Sequence, residues 1–499
     1  MKVLLAGYNI DREVIEDLKK HSPSRLDITP ETLSASYARI SRDPRPVDEL
    51  RRAAREEVEK ARRSNQNIIF KMGHHSVAEH AVFNFDIIGV SRLAIEEIEK
   101  FRLCSYTEKS QRYITLKDDF VLPAEIMQAG KQEIFLETIR AQNSLYRRLY
   151  EKLRPYFFKK NPDLAAIPKK QAIPEGWAKE DARYVVSLAT EGQLGMTINA
   201  RNLEFLIRRF GAQKLAELQE LNGKIFELAK EVAPSIILFT ESSDFDAMTY
   251  EEFKEDAAKL TGAFPKKEVT HLNETARLVD CTRGGDDKLL ASILHTTSSL
   301  SYGQCLAKVK GLAPRRKREL VMAAFERMEF YDFPLREFEY VNFTFDIVLS
   351  ASCFAQLKRH RMATLTCQSY DPRLGVTVPA SIDEVGARHE FMDMIERTND
   401  IYFRLKNHVG QAADYILTNA HRRRALLKVN ARELYHISRL REDATAQWDI
   451  RELSAKMSAL AKKAMPLTCL LLGGKDKYPN IYKKAFGRSP KMLPPDFKE

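Results

Sequence analysis

The sequence contains the same series of short segments twice, and this duplication limits the possible folds more than any other feature. The segments at 78–87 and 338–347 read AEHAVFNFDI and FEYVNFTFDI. Both place apolar residues at alternate positions, as in a half-buried strand. About 20 residues after the start of each segment comes a basic cluster, and later an Asn-Ala-Arg triplet opens a helical pattern. We therefore expect two tandem copies of one fold.

Both copies mix strand-like segments with long helical patterns, which predicts an α+β fold with two repeats that form a pseudo-dimer. The helical patterns run from about 202 to 231 and from about 433 to 464. A polar stretch separates the copies, and we place the domains at 1–265 and 266–499. The offset between copies falls from 260 at the strand to 231 at the triplet, so the first copy carries about 29 extra residues. We assign most of them to a surface loop over 155–179.

Composition excludes several classes of protein. The 499 residues include six scattered cysteines without a CxxC pair, which argues against a zinc site or disulfides and suits a reducing cytoplasm. No apolar run is long enough to span a membrane, and the N-terminus suggests a first strand rather than a signal peptide. The net charge of +11 suits an anionic ligand such as a nucleotide and does not require nucleic acid.

Four motifs, in the same order along the chain, resemble those of the flavin-dependent thymidylate synthases. In the first copy, GHHSVAEH at 73–80 is similar to the family's GHxSxxEH block, and SYTEKSQRY at 105–113 to the later half of RHRxxSxxExSxRY. In the second copy, RHRMAT at 359–364 is similar to the first half of that signature. The triplet at 430–432, followed by LREDATAQW at 440–448, is similar to the C-terminal block.

The resemblance implies an enzyme that transfers a one-carbon unit to C5 of dUMP without a cysteine nucleophile. It implies FAD as the cofactor, with NADPH and methylenetetrahydrofolate as co-substrates. The family is tetrameric and builds each site from more than one subunit. A tandem chain would therefore work as a homodimer with two sites rather than four.

The copies differ in what they keep of the nucleotide site that the resemblance implies. The first copy keeps the phosphate side. In the second copy Cys367, Asp371 and Asp414 stand in place of a glutamate and two arginines, and two aspartates cannot hold a phosphate. The residues implied on the phosphate side are Glu108, Ser110, Gln111, Arg112 and Arg183.

The second copy keeps the opposite side of the nucleotide site, with Gln356, Arg359 and Arg441. Arg441 is the catalytic candidate, because developing negative charge on the uracil ring needs a cation against its carbonyl edge. In the first copy the basic triplet has become Lys100-Phe101-Arg102, and Phe210 occupies the position of the late arginine. The losses are complementary, so the working site should be composite.

Flavin contacts are implied in both copies. His436 and Thr445 replace an asparagine and a histidine of the family, which leaves open a related flavoenzyme with another nucleotide or a non-catalytic nucleotide-binding scaffold. The asparagines of both triplets could instead serve only as helix caps. The implied flavin contacts are His74, Ser76, Glu79, Asn199 and Arg201, together with Arg359, His360, Arg361, Met362, Asn430 and Arg432.

Overall fold

The computed structural model describes residues 1–11, 13–15, 29–40, 43–71, 73–112, 116, 118–262 and 275–494. It divides into two compact units. Unit 1 contains residues 1–265 and 381–417, and unit 2 contains residues 266–380 and 418–499. The junction predicted at 265 lies outside the described residues, as does Tyr113 of the SYTEKSQRY segment.

Unit 1 is built on a four-stranded antiparallel sheet in the order β1-β2-β4-β3. Its central pair, β2 and β4, begins with Val82 opposite Asn199, the asparagine of the first triplet. Alternate residues of β2 point into the core, where Phe83 and Phe85 are buried and stack at 6.3 Å. The strands are β1 (Lys2–Tyr8), β2 (Val82–Ser91), β3 (Cys104–Glu108) and β4 (Glu191–Asn199).

Unit 2 repeats this sheet in the order β5-β6-β8-β7. Asn342 at the start of β6 lies opposite Asn430 of the second triplet, and Phe343 and Phe345 stack in the core at 6.3 Å. The equal strand order and pairing confirm the predicted tandem α+β repeats. The strands are β5 (Ala276–Cys281), β6 (Asn342–Ser350), β7 (Thr364–Cys367) and β8 (Arg422–Asn430).

Helices make up most of the remaining described structure. The α-helices up to residue 261 are α1 (Glu31–Arg39), α2 (Val47–Glu56), α3 (Val58–Asn65), α4 (Arg92–Ile98), α5 (Ala124–Gln128), α6 (Gln132–Lys160), α7 (Pro162–Ala165), α8 (Ala172–Ala182), α9 (Ala200–Gly211), α10 (Ala216–Val232) and α11 (Asp244–Thr261). Those that follow are α12 (Gly285–Thr296), α13 (Tyr302–Lys310), α14 (Pro314–Phe325), α15 (Ala351–Leu357), α16 (Ala380–Glu384), α17 (Arg388–Val409), α18 (Ala431–Arg441), α19 (Trp448–Ala464) and α20 (Tyr478–Phe486).

Shorter helical turns complete the elements. Within the described residues, no helix is long and apolar enough to cross a membrane. The 3₁₀ turns are His75–His80, Pro168–Lys170, Arg183–Val185, Arg336–Tyr340, Pro372–Leu374 and Gly410–Ile416, and a π-helical turn spans Gln66–Lys71.

Three local predictions were wrong. The matching segments do not begin as strands, because their first residues form the 3₁₀ turns His75–His80 and Arg336–Tyr340. The stretch 155–179 is helical rather than a loop: α6 continues through Pro155, and α7 and α8 follow. The two long helices after the triplets are each broken into a pair, α9 with α10 and α18 with α19.

The two triplets begin their helices through side-chain capping. Asn199 Oδ1 accepts a hydrogen bond from the amide of Asn202 at 3.0 Å, and Asn430 Oδ1 accepts one from the amide of Glu433 at 2.8 Å. Each asparagine thus satisfies an amide of the first turn that has no partner within the helix. The triplets therefore fix where β4 and β8 end and where α9 and α18 begin.

Candidate functional site

The phosphate-side residues form a basic cluster in unit 1. Arg183 is 7% exposed in the 3₁₀ turn that follows α8. Burial, together with the nearby positive charges of Arg112 and Arg92, lowers the pKa of Arg183, although Glu180 acts in the opposite direction. The Arg112 Nε donates to the carboxylate of Glu180. The structure thus brings two predicted arginines together and adds Glu180 and Arg92, which sequence reasoning missed.

The loop after β3 supplies the other predicted phosphate ligands. Glu108 is the last residue of β3, and Gln111 is buried. The Ser110 Oγ accepts a hydrogen bond from the Arg112 amide at 3.2 Å, which ties the serine to the arginine locally. Hydroxyl, amide and guanidinium groups of this kind are suitable donors for a phosphate.

The residues that replace the phosphate side in the second copy form local contacts of their own. Asp371 accepts from the amide and Nε of Arg373 at 3.0 and 2.9 Å. Asp414 pairs with Lys406 at 3.3 Å. Neither aspartate offers an anion a hydrogen-bond donor.

In unit 2 the residues predicted to lie against the uracil ring, here called the ring-side residues, meet on α18 and on the segment after α15. Arg441, at the end of α18, donates from Nε to His360 Nε2 at 2.9 Å. The His360 Nδ1 lies 3.4 Å from Glu433 Oε1, and the ring of His436 packs edge-on to that of His360 at 5.6 Å. Sequence reasoning predicted Arg441 and His360 but missed Glu433.

Burial sets the charge states of this group. His360 is 5% exposed, and burial followed by the charge of Arg441 lowers its pKa to about 3. Burial also raises the pKa of Glu433 and lowers that of His436. His360 is therefore neutral at physiological pH, and one of its nitrogens has a lone pair to accept the bond from Arg441.

The remaining ring-side candidates differ in exposure. Gln356 is buried on α15 and donates from Nε2 to Gln447 Oε1 at 3.1 Å. Arg359, Arg361 and Met362 are exposed, and 69% of Met362 is accessible to solvent. The exposed groups lie at the surface of unit 2, where a ligand can reach them.

Unit 1 has phenylalanines at the positions equivalent to His360, His436 and Arg441, and of these Phe210 is buried while Phe205 is 40% exposed. The rings of Phe101 and Phe205 meet edge-on at 5.7 Å and 76°, close to the 5.6 Å and 73° of His360 and His436. Phe210, which takes the position of Arg441, packs against Phe101 at 5.7 Å. The first copy thus has three apolar rings where the second copy has His360, His436 and Arg441.

The candidate flavin contacts include one ion pair at the same position in each unit. Arg201 pairs with Glu79 at 2.5 Å, and Arg432 pairs with Glu339 at 3.1 Å. Each pair joins the start of the helix after the triplet to the 3₁₀ turn before the central strand. His74 and Ser76 are exposed residues of the unit 1 turn region.

A cavity lies beside each ion pair. The unit 1 cavity is about 550 Å³ and that of unit 2 about 310 Å³, within the range of small-molecule sites. Both combine aromatic walls with cations. The unit 1 cavity is lined by His75, Leu103, Arg201, Asn202, Glu204, Phe205, Arg208 and Phe239. The unit 2 cavity is lined by Phe333, Glu339, Met362, Asn430, Arg432, Glu433 and His436.

Comparison with known proteins gives the same family for both copies. The family model described as "Thymidylate synthase complementing protein" matches residues 26–235 and again 277–467. The chain is 30% identical over 217 residues to the flavin-dependent thymidylate synthase of Clostridium tetani, which covers 43% of this chain and 83% of that protein. It is 24% identical over 426 residues to a UPF0159 protein of Chlamydia pneumoniae, covering 82% and 80%. A solved Helicobacter pylori flavin-dependent thymidylate synthase, complexed with FAD and dUMP, aligns at 17% identity and a TM-score of 0.29, covering 48% of this chain and 100% of that one.

Proposed function

We propose that this chain, which belongs to the flavin-dependent thymidylate synthase family, transfers a one-carbon unit to C5 of dUMP at a site built from both repeats. The observation that carries the proposal is complementarity. The first copy has the basic cluster of Arg112 and Arg183 but phenylalanines in place of the uracil-side residues. The second copy has Arg441 but the aspartates Asp371 and Asp414 on the phosphate side. Neither set of residues serves a nucleotide alone.

In this proposal one group of residues binds the phosphate of the nucleotide and another binds its uracil ring. Arg112 and Arg183, with Ser110, Gln111 and Glu108, hold the phosphate of the nucleotide. Arg441, Arg359 and Gln356 bind the uracil end, and the Arg441 guanidinium stabilises negative charge that develops on the ring. A fixed guanidinium in a partly buried position stabilises such charge more strongly than water does.

The donor groups beside the two cavities fit a flavin dinucleotide, because each cavity joins arginine donors to an aromatic wall. Residues of the cavity regions and of the basic triplet would hold FAD. When bound, FAD would carry the one-carbon unit, with NADPH and methylenetetrahydrofolate as co-substrates. These residues are His74, Ser76, Glu79, Asn199 and Arg201, with Arg359, His360, Arg361, Met362, Asn430 and Arg432.

The direct test is tritium release from dUMP labelled at C5, with FAD, NADPH and methylenetetrahydrofolate supplied. We expect release by the wild-type chain and its loss in Arg441→Ala and in Arg112→Ala. Arg404→Ala is the matched control, because Arg404 is exposed on α17 and lies outside the proposed site. Each variant is first checked for a native unfolding transition, since Arg112 also pairs with the buried Glu180.

Binding measurements separate the alternatives. Arg432→Ala should weaken flavin binding more than nucleotide binding, because Arg432 lines a cavity beside Asn430 and Met362. Tight flavin binding without tritium release from dUMP would favour a flavoenzyme acting on another nucleotide. Failure to bind FAD at all would reduce the chain to a nucleotide-binding scaffold.

We further propose that the working form is a homodimer, in which two tandem chains replace four single-copy subunits. Size-exclusion chromatography with light scattering should then give about twice the 57.3 kDa of one chain. A stable, active monomer would overturn this part of the proposal and leave the rest intact.

A further inference from the structure

One partly buried packing position is filled in two chemically different ways in the two units. In unit 1 it holds Phe101, Phe205 and Phe210, whose rings pack edge-on at 5.7 Å. In unit 2 the matching residues are His360, His436 and Arg441, with nearly the same distance and angle between the first two rings. Three phenylalanines, of which Phe210 is buried and Phe205 is 40% exposed, can therefore occupy this position of the fold.

The polar set is the less favourable choice for stability. Burial of polar and charged groups costs free energy unless each is paired, whereas a phenylalanine gains from burial. The cost is visible in unit 2, where burial moves the pKa of both histidines downward and that of Glu433 upward. Packing alone does not explain the polar groups, so their directional contacts require another role.

The hydrogen bond from Arg441 determines the tautomer of His360. Because the Nε–H of Arg441 points at His360 Nε2 at 2.9 Å, Nε2 must carry the lone pair and the proton must lie on Nδ1. The Nδ1 atom is buried without a hydrogen-bond partner among the described residues, and Glu433 Oε1 lies 3.4 Å away. The carboxylate is therefore placed to attract the Nδ1–H of His360.

The same geometry argues against a metal ion, although His360, Glu433 and His436 place ligand atoms within 4.8 Å of one another. A metal on Nδ1 would move the proton to Nε2. Two N–H groups, those of His360 and Arg441, would then face each other at 2.9 Å. The Arg441 cation would also lie next to the metal cation, which is electrostatically unfavourable.

We propose that His360 and Glu433 are positioning residues for Arg441: Glu433 orients the Nδ1–H of His360, and His360 Nε2 fixes the Arg441 guanidinium through its Nε. The importance of these contacts for turnover rests on the proposed function of Arg441. A guanidinium fixed at Nε can present its Nη edge in one direction, which suits a planar carbonyl edge. A carboxylate beside a histidine that binds a metal or takes part in catalysis fixes the tautomer and orientation of its ring in the same way.

The tautomer of His360 can be measured by NMR, without an activity assay. The chain has 11 histidines, so ¹⁵N labelling of histidine gives few signals, and that of His360 is identified by its absence in His360→Gln. We expect the His360 signal of the full chain to show protonated Nδ1 and unprotonated Nε2. In Arg441→Met we expect a mixture of the two neutral tautomers of His360. Protonated Nε2, or a joint shift of His360 and His436 on addition of Zn²⁺, would overturn the proposal.

Kinetics then test the consequence for Arg441. His360→Phe copies the packing of unit 1 and should keep the unfolding transition, while kcat/KM for the nucleotide falls by about 100-fold, as expected when a catalytic group is misplaced. His360→Gln keeps an acceptor near the position of Nε2 and should recover at least a tenth of the wild-type value. His408→Phe, at an exposed residue, is the control.

The two tests fail in different ways. Suppose that neither the wild type nor any variant releases tritium, while the NMR spectrum shows protonated Nδ1 and unprotonated Nε2 on His360. The proposed reaction is then wrong, and the positioning of Arg441 by His360 and Glu433 stands. If the wild type is active but His360→Phe turns over normally, the positioning role is wrong and the reaction stands. Equal losses in His360→Phe and His360→Gln would also refute the role of the Nε2 acceptor.

Discussion

Acidification should destabilise unit 2 through His421, which is fully buried immediately before β8. Its Nδ1 accepts the amide hydrogen of Thr418 at 2.9 Å, so the ring is held as a neutral acceptor. Burial lowers the pKa of His421 to about 3 from an ordinary value of 6.5. The folded chain therefore resists a proton that the unfolded chain accepts.

The sign and size follow from proton linkage. A histidine whose pKa is depressed by folding gives its full stabilisation above pH 6.5 and loses it as the pH falls toward 3. Each pH unit in this window removes about 1.4 kcal/mol from the free energy of unfolding. At about pH 5 the loss from His421 is about 2 kcal/mol, and His360, with a pKa also near 3, adds a similar amount.

The assay uses the two tryptophans of the chain. Trp177 lies in unit 1 and Trp448 in unit 2, so a Trp177→Phe background leaves Trp448 as the fluorescence reporter of unit 2. Urea unfolding at about pH 7.5 and pH 5 gives the pH-dependent loss in this background, in His421→Gln and in the control His295→Gln, which changes an exposed histidine of unit 2. We expect His421→Gln to reduce the loss by about 2 kcal/mol. An unchanged loss would refute the assignment of a buried, neutral His421.

Three further predictions concern the stability of unit 2 and use the same unfolding assay. Tyr435→Phe removes a hydroxyl that donates to Thr468 O at 3.0 Å and accepts from the Leu471 amide at 3.1 Å. It should lower the free energy of unfolding by about 1–3 kcal/mol. Tyr340→Phe, at an exposed site, is the control and should leave it unchanged. Gly474→Ala should destabilise unit 2, because its Cβ would lie 2.7 Å from the Glu442 carbonyl oxygen. Gly303→Ala in α13 should stabilise unit 2 by about 0.5–1 kcal/mol, because nothing lies within 4 Å of the added Cβ. Asp286→Ala should cost about 1–3 kcal/mol, because its carboxylate accepts from the Leu467 and Thr468 amides at 3.2 and 2.8 Å.

The fold could be predicted from the sequence where the same short pattern occurs in both copies. The alternation in 82–87 and 342–347 indicated the central strands, and the triplets indicated the start of α9 and α18. The breaks after these helices could not be predicted, because helical apolar spacing resumes after each short turn. Pro155 suggested a loop, yet it lies within α6, whose packing outweighs the loss of one backbone hydrogen bond.

The candidate site was predictable at the level of motifs and not of contacts. Arg112 and Arg183 were paired by resemblance, and their charges do interact. Glu180 was missed, although it stands three residues before Arg183, because no motif marks a counterion. Phe101 and Phe210 were seen only as losses, and the sequence did not show that Phe205 completes their packing.

The two sets of residues at this packing position, phenylalanines in unit 1 and polar groups in unit 2, suggest why a duplicated chain would divide one site between its copies. An apolar filling such as Phe101 with Phe210 stabilises its own unit, while a polar filling such as His360 with Arg441 carries a desolvation cost. If the proposed composite site needs only one ring side, the unit that does not supply it gains stability by becoming apolar. Exchange of the fillings tests this: Phe210→Arg should destabilise unit 1, because a guanidinium would replace a buried phenylalanine that packs against the Phe101 ring. Arg441→Phe should abolish the proposed turnover without a matching loss in the stability of unit 2.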